Sequence, residues 1–166
     1  MLLLGLDLQL PGDWLVNYSF MWYIHNSNLI VLCIYLSICP TIWYIEQGCN
    51  LVLVGRRGNR LDEIKDKLSI DFPVIDVHTV VLDVADVQQV EQLPMKLPNA
   101  FRNVDLLVNN AGLALGVTAV QENSISDAAT VMNTNVLGTI AFCSAFIPGM
   151  VARGVGHVVN IGSCAG

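Results

Sequence analysis

The stretch Asp105-Leu106-Leu107-Val108-Asn109-Asn110-Ala111-Gly112 constrains this chain more than any other. Leu106 to Val108 is a short apolar run bounded by turn residues, the pattern of a strand buried on both faces. Such strands belong to parallel sheets with helices packed on either side. Two asparagines and a glycine follow at the carboxyl end, where open α/β sheets bind their ligands. Asn amides can satisfy the backbone of neighbouring strands, and Gly112 lets a ligand approach the main chain. Taken alone, these residues fit an ordinary strand with a polar turn equally well, so the surrounding pattern has to decide.

From Gly48 onward that pattern is regular. Leu51 to Val54 is a buried strand ending at Gly55. Asn59 can cap a helix with Asp62 and Glu63 in its first turn, Lys65 and Lys67 in its last, and Leu61, Ile64 and Leu68 as its apolar stripe. Val77 to Leu82 reads as the next strand, followed by Asp83. Asp86 with Gln89 fits a capping box opening a helix that stops at Pro94. After the strand at Leu106, Ser124 or Ser126 opens a long helix that Pro148 bends or ends. His157 to Ile161 is the last strand. Strands alternating with helices predict right-handed βαβ units, hence an α/β fold with a doubly wound, Rossmann-like parallel sheet.

Residues 1 to 45 are different in kind. No Asp, Glu, Lys or Arg occurs between Asp13 and Glu46. Three readings stand side by side. Leu29 to Ile45 reaches the roughly 17-residue lower limit for a bilayer span. Arg56, Arg57 and Arg60 would then favour a cytoplasmic carboxyl side, although Pro40 interrupts the run. Alternatively, Leu29 to Leu36 is a buried strand of the sheet, or the segment is extraneous to the fold. The domain reading is therefore 1–45 as an apolar segment, attached to a membrane through 14–45 under one alternative, and 46–166 as a partial nucleotide-binding domain.

Composition excludes some functions. Hydrophobic residues make up 54% of the 166 positions and the formal net charge is -6. An acidic chain without a basic cluster beyond Arg56, Arg57 and Arg60 is a poor nucleic-acid binder. The five cysteines form no CxxC pair and the three histidines are dispersed, so no metal site is expected and free thiols in a reducing, cytoplasmic compartment are the default.

Three segments now carry a resemblance. Asn109-Asn110-Ala111-Gly112, Met132-Asn133-Thr134-Asn135-Val136-Leu137-Gly138 and His157-Val158-Val159-Asn160-Ile161-Gly162-Ser163 occur in the order and spacing of the short-chain dehydrogenase/reductase family. The run Asn110 to Gly116, with Val120-Gln121-Glu122 after it, is similar to the branch oxidising 3-hydroxy acids and serine-like substrates with NADP. The resemblance implies an oxidoreductase moving hydride between NADP and a small hydroxy acid or carbonyl substrate, homo-oligomeric when complete. It implies that Asn109, Asn110 and Ala111 support the central sheet, with Ala111 and Gly112 against the cofactor. Asp83 would contact the adenine and Val84 flank it. Asn135 would hold a water in a proton relay, and Ser163 would hydrogen-bond the substrate carbonyl oxygen. Plainer roles exist for each: a helix-entry acid, a polar helix residue bonded to backbone, and a strand-end turn residue. Arg56 and Arg57 follow the second strand of the family's sheet, where an acid selects NAD and arginine accommodates a 2'-phosphate, so NADP is preferred over NAD. A solvated basic pair is the alternative there.

The resemblance also implies parts that these residues do not supply. The family's first strand ends in a glycine-rich turn that lets the pyrophosphate meet backbone N–H groups. Gly5 and Gly12 are the only glycines before Gly48, and neither fits. A Tyr-x-x-x-Lys pair should follow the serine, yet all four tyrosines (18, 23, 35 and 44) precede the cofactor motifs. The sheet is thus expected to lack the family's first strand unit and last strands, and the 166 residues to be inactive. The alternative function is a non-catalytic nucleotide-binding or membrane-attached fragment.

Overall fold

The computed structural model describes residues 3–6, 28–32, 45–46, 48–116 and 118–162. They form one six-stranded sheet. Its strands are β1 (Leu3–Leu6), β2 (Asn28–Leu32), β3 (Asn50–Gly55), β4 (Val77–Val81), β5 (Val104–Asn109) and β6 (His157–Ile161). The spatial order is β1-β6-β5-β2-β3-β4. β2 to β6 run parallel, and β1 closes the β6 edge antiparallel.

β2 stands where the sequence leaves the sheet without a strand. It pairs in register with both neighbours, Ile30 opposite Val52 of β3 and Leu107 of β5. Backbone groups of β3 and β5 that would otherwise be buried without partners are thereby satisfied. The strand ends at Leu32, short of the Leu36 that the apolar run suggests. The membrane alternative falls on residues 14–45, which outside 28–32 and 45 lie beyond the described residues.

Period-two alternation gives the sheet two apolar faces. Val52, Val54, Leu107 and Val158 pack with α2 (Val87–Lys96) and with Phe142, Phe146 and Met150 of a long helix. Leu51, Leu53, Leu106, Val108 and Val159 pack against Leu61, Ile64 and Leu68 of α1 (Gly58–Asp71), the stripe expected for that helix. The long helix consists of α3 (Ile125–Met132), a π-helical segment Asn133–Gly138 and α4 (Thr139–Arg153). With a mean hydropathy of 1.6 over its apolar window it is apolar enough to cross a membrane by length and composition, but Ala141, Phe142, Phe146 and Met150 lie in the core.

Several element ends differ from expectation for physical reasons. α1 starts at Gly58, with Arg57 rather than Asn59 at its amino cap. A Cβ on Gly58 would lie 3.2 Å from Val81, so the chain can begin its helix close against β4. Asp86 caps α2 through Gln89 N–H at 3.1 Å, but the Gln89 amide turns to the Asp86 carboxylate instead of the backbone. That contact from Gln89 holds the Asp86 carboxyl below the usual carboxylate range. α2 continues past Pro94 to Lys96 because proline removes only its own N–H: Leu97 N–H still reaches Leu93 O at 3.1 Å. Arg102 then donates to Leu97 O, satisfying a carbonyl at the helix end. Pro148 likewise sits inside α4, which ends at Gly154 in the left-handed region, φ 68°, a conformation glycine adopts without a Cβ penalty.

Candidate functional site

The carboxyl ends of β3, β4 and β5 surround a cleft of about 270 Å³. Its lining comes from four separate segments: Val54–Arg57, Leu82–Val84, Ala111–Leu113 and Thr134. Six of the seven cofactor residues expected from sequence are therefore together: Arg56, Arg57, Asp83, Val84, Ala111 and Gly112. The seventh, Asn110, is half-buried but does not line the cleft. Leu113 and Thr134 were not anticipated. Thr134 lies beside Asn135 in a segment singled out for another residue, and its position next to Gly112 depends on a contact across the fold.

Each lip of the cleft has a local cause. Leu82 N–H donates to Gly55 O at 2.9 Å, carrying the β3–β4 ladder one residue past the strands. Asp83 then turns the chain: its carboxylate accepts Ala85 N–H at 3.0 Å and its carbonyl accepts Asp86 N–H at 2.9 Å. This is a helix-entry turn, as the plainer reading of Asp83 had it, and it also leaves Asp83 on the cleft. Its other carboxylate oxygen lies 3.7 Å from Arg56 Nη1, and both side chains are largely exposed. The turn is fixed from behind by Gly138, where an added Cβ would fall 2.8 Å from Val84 O.

Asn135 joins the long helix to the third lip. Its Oδ1 accepts Leu113 N–H at 2.9 Å and its Nδ2 donates to Leu113 O at 2.8 Å. The side-chain amide is fully engaged in holding the Ala111–Leu113 loop. A Cβ on Gly112 would meet Asn135 Oδ1 at an ordinary 3.7 Å, so the protein's own packing there does not demand glycine. The Asn135 carbonyl accepts the Thr139 hydroxyl at 3.0 Å, which leaves its second lone pair. A π segment at this position fits the tendency of such segments to occur at functional sites.

Behind the cleft a polar pair crosses β5 and β6. Asn109, 4% exposed, donates through Nδ2 to Asn160 Oδ1 at 2.8 Å and to Cys143 Sγ at 3.4 Å. Among the described residues its Oδ1 has no partner. The sheet-supporting part of the expectation for Asn109 rests on this cross-strand bond. Burial pushes the Cys143 thiol above its ordinary value, with the Asn109 bond pulling the other way, and burial pushes Cys49 up to about 11. Neither thiol is primed for nucleophilic attack. Burial and the nearby Lys65 lower the pKa of His78, which stacks on Phe101 at 5.5 Å and keeps a structural role. Ser163 lies outside the described residues, two positions beyond the end of β6.

Comparison with known proteins agrees with this geometry. The family model described as short chain dehydrogenase matches residues 39–166. An Escherichia coli (strain K12) protein described as NADP-dependent 3-hydroxy acid dehydrogenase YdfG is 41% identical over 128 residues, 77% of this chain and 50% of that protein. The chain thus spans about half the length of the curated relatives it matches. The crystal structure of serine dehydrogenase from Escherichia coli superposes with a TM-score of 0.71 at 37% identity, covering 82% of this chain and 62% of that one. A closed form of serine dehydrogenase complexed with NADP+ gives 0.73 at 38% identity, covering 84% and 55%. Motifs, sheet order, cleft and these matches have one explanation: the chain belongs to the short-chain dehydrogenase family.

Proposed function

We propose that this chain carries the NADP-binding part of an oxidoreductase that transfers hydride to or from a small hydroxy acid or carbonyl substrate. The observation supporting this reading is the convergence of six separately expected residues on one cleft at the carboxyl ends of parallel strands. The lining suits the adenosine end of the cofactor. Val54, Leu82, Val84 and Ala111 offer apolar surface to a purine, and Arg56 and Arg57 offer guanidinium groups to a 2'-phosphate. Asp83 and Val84 meet the adenine, and Ala111 and Gly112 let the ribose approach the backbone. The two names that relatives carry, NADP-dependent 3-hydroxy acid dehydrogenase and serine dehydrogenase complexed with NADP+, favour the same cofactor and substrate class.

The bound nicotinamide supplies the hydride chemistry. Toward it, the Asn135 carbonyl holds a relay water while its side chain keeps the Leu113 loop in place. Ser163 hydrogen-bonds the substrate carbonyl oxygen and stabilises charge developing there. The proton donor of the family's chemistry is a tyrosine four residues before a lysine, and the lysines here are only Lys65, Lys67 and Lys96. The 166 residues alone are therefore expected to be inactive, since removing a positioned general acid costs about 10²–10⁴-fold in rate. The setting is cytoplasmic. A homo-oligomer is expected of the complete enzyme, with Met132, Leu137 and Ile140 exposed along the long helix as the surface for it. A non-catalytic nucleotide-binding chain, attached to a membrane through residues 14–45, is the second reading, favoured by the uncharged run from Trp14 to Ile45.

The test is cofactor preference. NADPH should bind this chain more tightly than NADH, and replacing Arg56 and Arg57 together with Ala should shrink the difference. Each charge-assisted bond to the 2'-phosphate is worth about 1.5–3 kcal/mol. Equal titration curves for the two cofactors before mutation would refute the assignment.

A further inference from the structure

The cleft and the strand beside it disagree about how much of a dinucleotide this chain can hold. The lining residues come from the ends of β3, β4 and β5 and from Thr134; none comes from β2. Yet β2 is the central strand between β3 and β5, and in an open parallel sheet the turn after that strand faces the ligand crevice. A pyrophosphate is held there by backbone N–H groups, which requires glycines so that the main chain can come close. After Leu32 the sequence continues Cys33-Ile34-Tyr35-Leu36-Ser37-Ile38-Cys39-Pro40, and no glycine occurs before Gly48. Every residue in that turn carries a side chain, most of them bulky and apolar, and Pro40 has no N–H to offer. The adenosine side is intact and the pyrophosphate side is chemically wrong for an anion.

We propose that this cleft is a 2'-phosphoadenosine site complete in itself, which holds NADP by that end alone and gains nothing from the pyrophosphate and nicotinamide. The size agrees: about 270 Å³ falls just below the roughly 300–1,000 Å³ of pockets that enclose drug-sized ligands, room for one nucleoside phosphate. The charge agrees as well. Arg56 is oriented across the cleft mouth by Asp83 at 3.7 Å, a contact between exposed groups that is weak enough for a phosphate dianion to displace. Arg57 stands next to it on the same lip.

This rests on the reading of the cleft as an NADP site, and one experiment separates the two. The full 166-residue chain is titrated by calorimetry with adenosine 2'-monophosphate, adenosine 5'-monophosphate and NADPH. The expected result is a 2'-monophosphate Kd within about threefold of that for NADPH, with the 5'-monophosphate at least tenfold weaker. Replacing Arg56 and Arg57 with Ala should bring the 2'-monophosphate to the level of the 5'-monophosphate. Circular dichroism confirms that the variant is folded, and Arg56→Lys with Arg57→Lys, which keeps the charge, should recover part of the affinity. NADPH binding tenfold or more tighter than the 2'-monophosphate overturns the inference while leaving the NADP site standing. Equal binding of the two monophosphates overturns the 2'-phosphate recognition. Binding of none of the three ligands sinks both readings.

Discussion

At the scale of single residues, Asn135 connects sequence, structure and site most directly. Its amide spans both backbone groups of Leu113, so one side chain fixes a loop from the neighbouring strand to the long helix. Asn135→Leu should leave the Leu113 N–H and C=O without partners and destabilise the fold by roughly 1–3 kcal/mol, read as a lower denaturation midpoint in urea. Asn133→Ala, on the exposed side of the same segment, should change stability by less than about 0.5 kcal/mol. Similar losses in both would show that the loop is held by something else. Local chemistry in the sequence singled out Asn135, but not this geometry: asparagine in a helix-forming stretch signals a polar requirement without naming the partner. Thr134 was missed for a related reason. A threonine in a helix has no signature of its own, and only the fold brings it to Gly112.

Elements were legible where a periodic apolar pattern and a local cap agreed. β6 runs His157–Ile161 as its residues suggest, and Ser124 caps α3 through Ser126 N–H and Asp127 N–H. They were misjudged where a residue's local preference lost to packing. Pro94 and Pro148 both read as stops, yet Leu93 beside the first and Phe146 and Met150 around the second are core residues that keep their helices going. The π segment was invisible, since nothing in its composition departs from an ordinary helix. Its last residue gives a test at this scale. On propensity alone Gly138→Ala gains up to about 1 kcal/mol in a helix. Here the new Cβ would sit 2.8 Å from Val84 O, a backbone atom that cannot swing aside as a flexible side chain would. Overpacking of that kind costs about 1–3 kcal/mol, so a net loss of stability is expected in thermal unfolding. A raised Tm would mean that the turn at Asp83 and Val84 yields freely.

For the whole molecule, the parallel α/β architecture followed from the alternation of strand and helix patterns, and the order of strands from the family resemblance. The occupant of the central slot did not. An apolar run such as Leu29–Leu36 suits a strand, a bilayer or a buried helix alike, and only its pairing with two specific neighbours decides. That pairing is testable through the backbone. Ile30→Pro removes an N–H from a strand hydrogen-bonded on both sides, a place proline does not occupy in sheets. The variant should lose cooperative unfolding by circular dichroism; a transition as sharp as that of the unaltered chain would remove β2 from the sheet. The position of β2 also has a consequence for how the chain reaches its fold. β3-α1-β4 is one short-range βαβ unit, and β5 with the long helix and β6 is another; in the sheet they meet only across β2. Each unit can form from contacts close in sequence, whereas joining them requires β2 to dock between partners far apart along the chain, a slow step because loop-closure entropy is lost before the contacts form. Amide exchange should accordingly separate two cooperative blocks, residues 50–81 and 104–161, with the amides of β2 the last to gain protection during refolding.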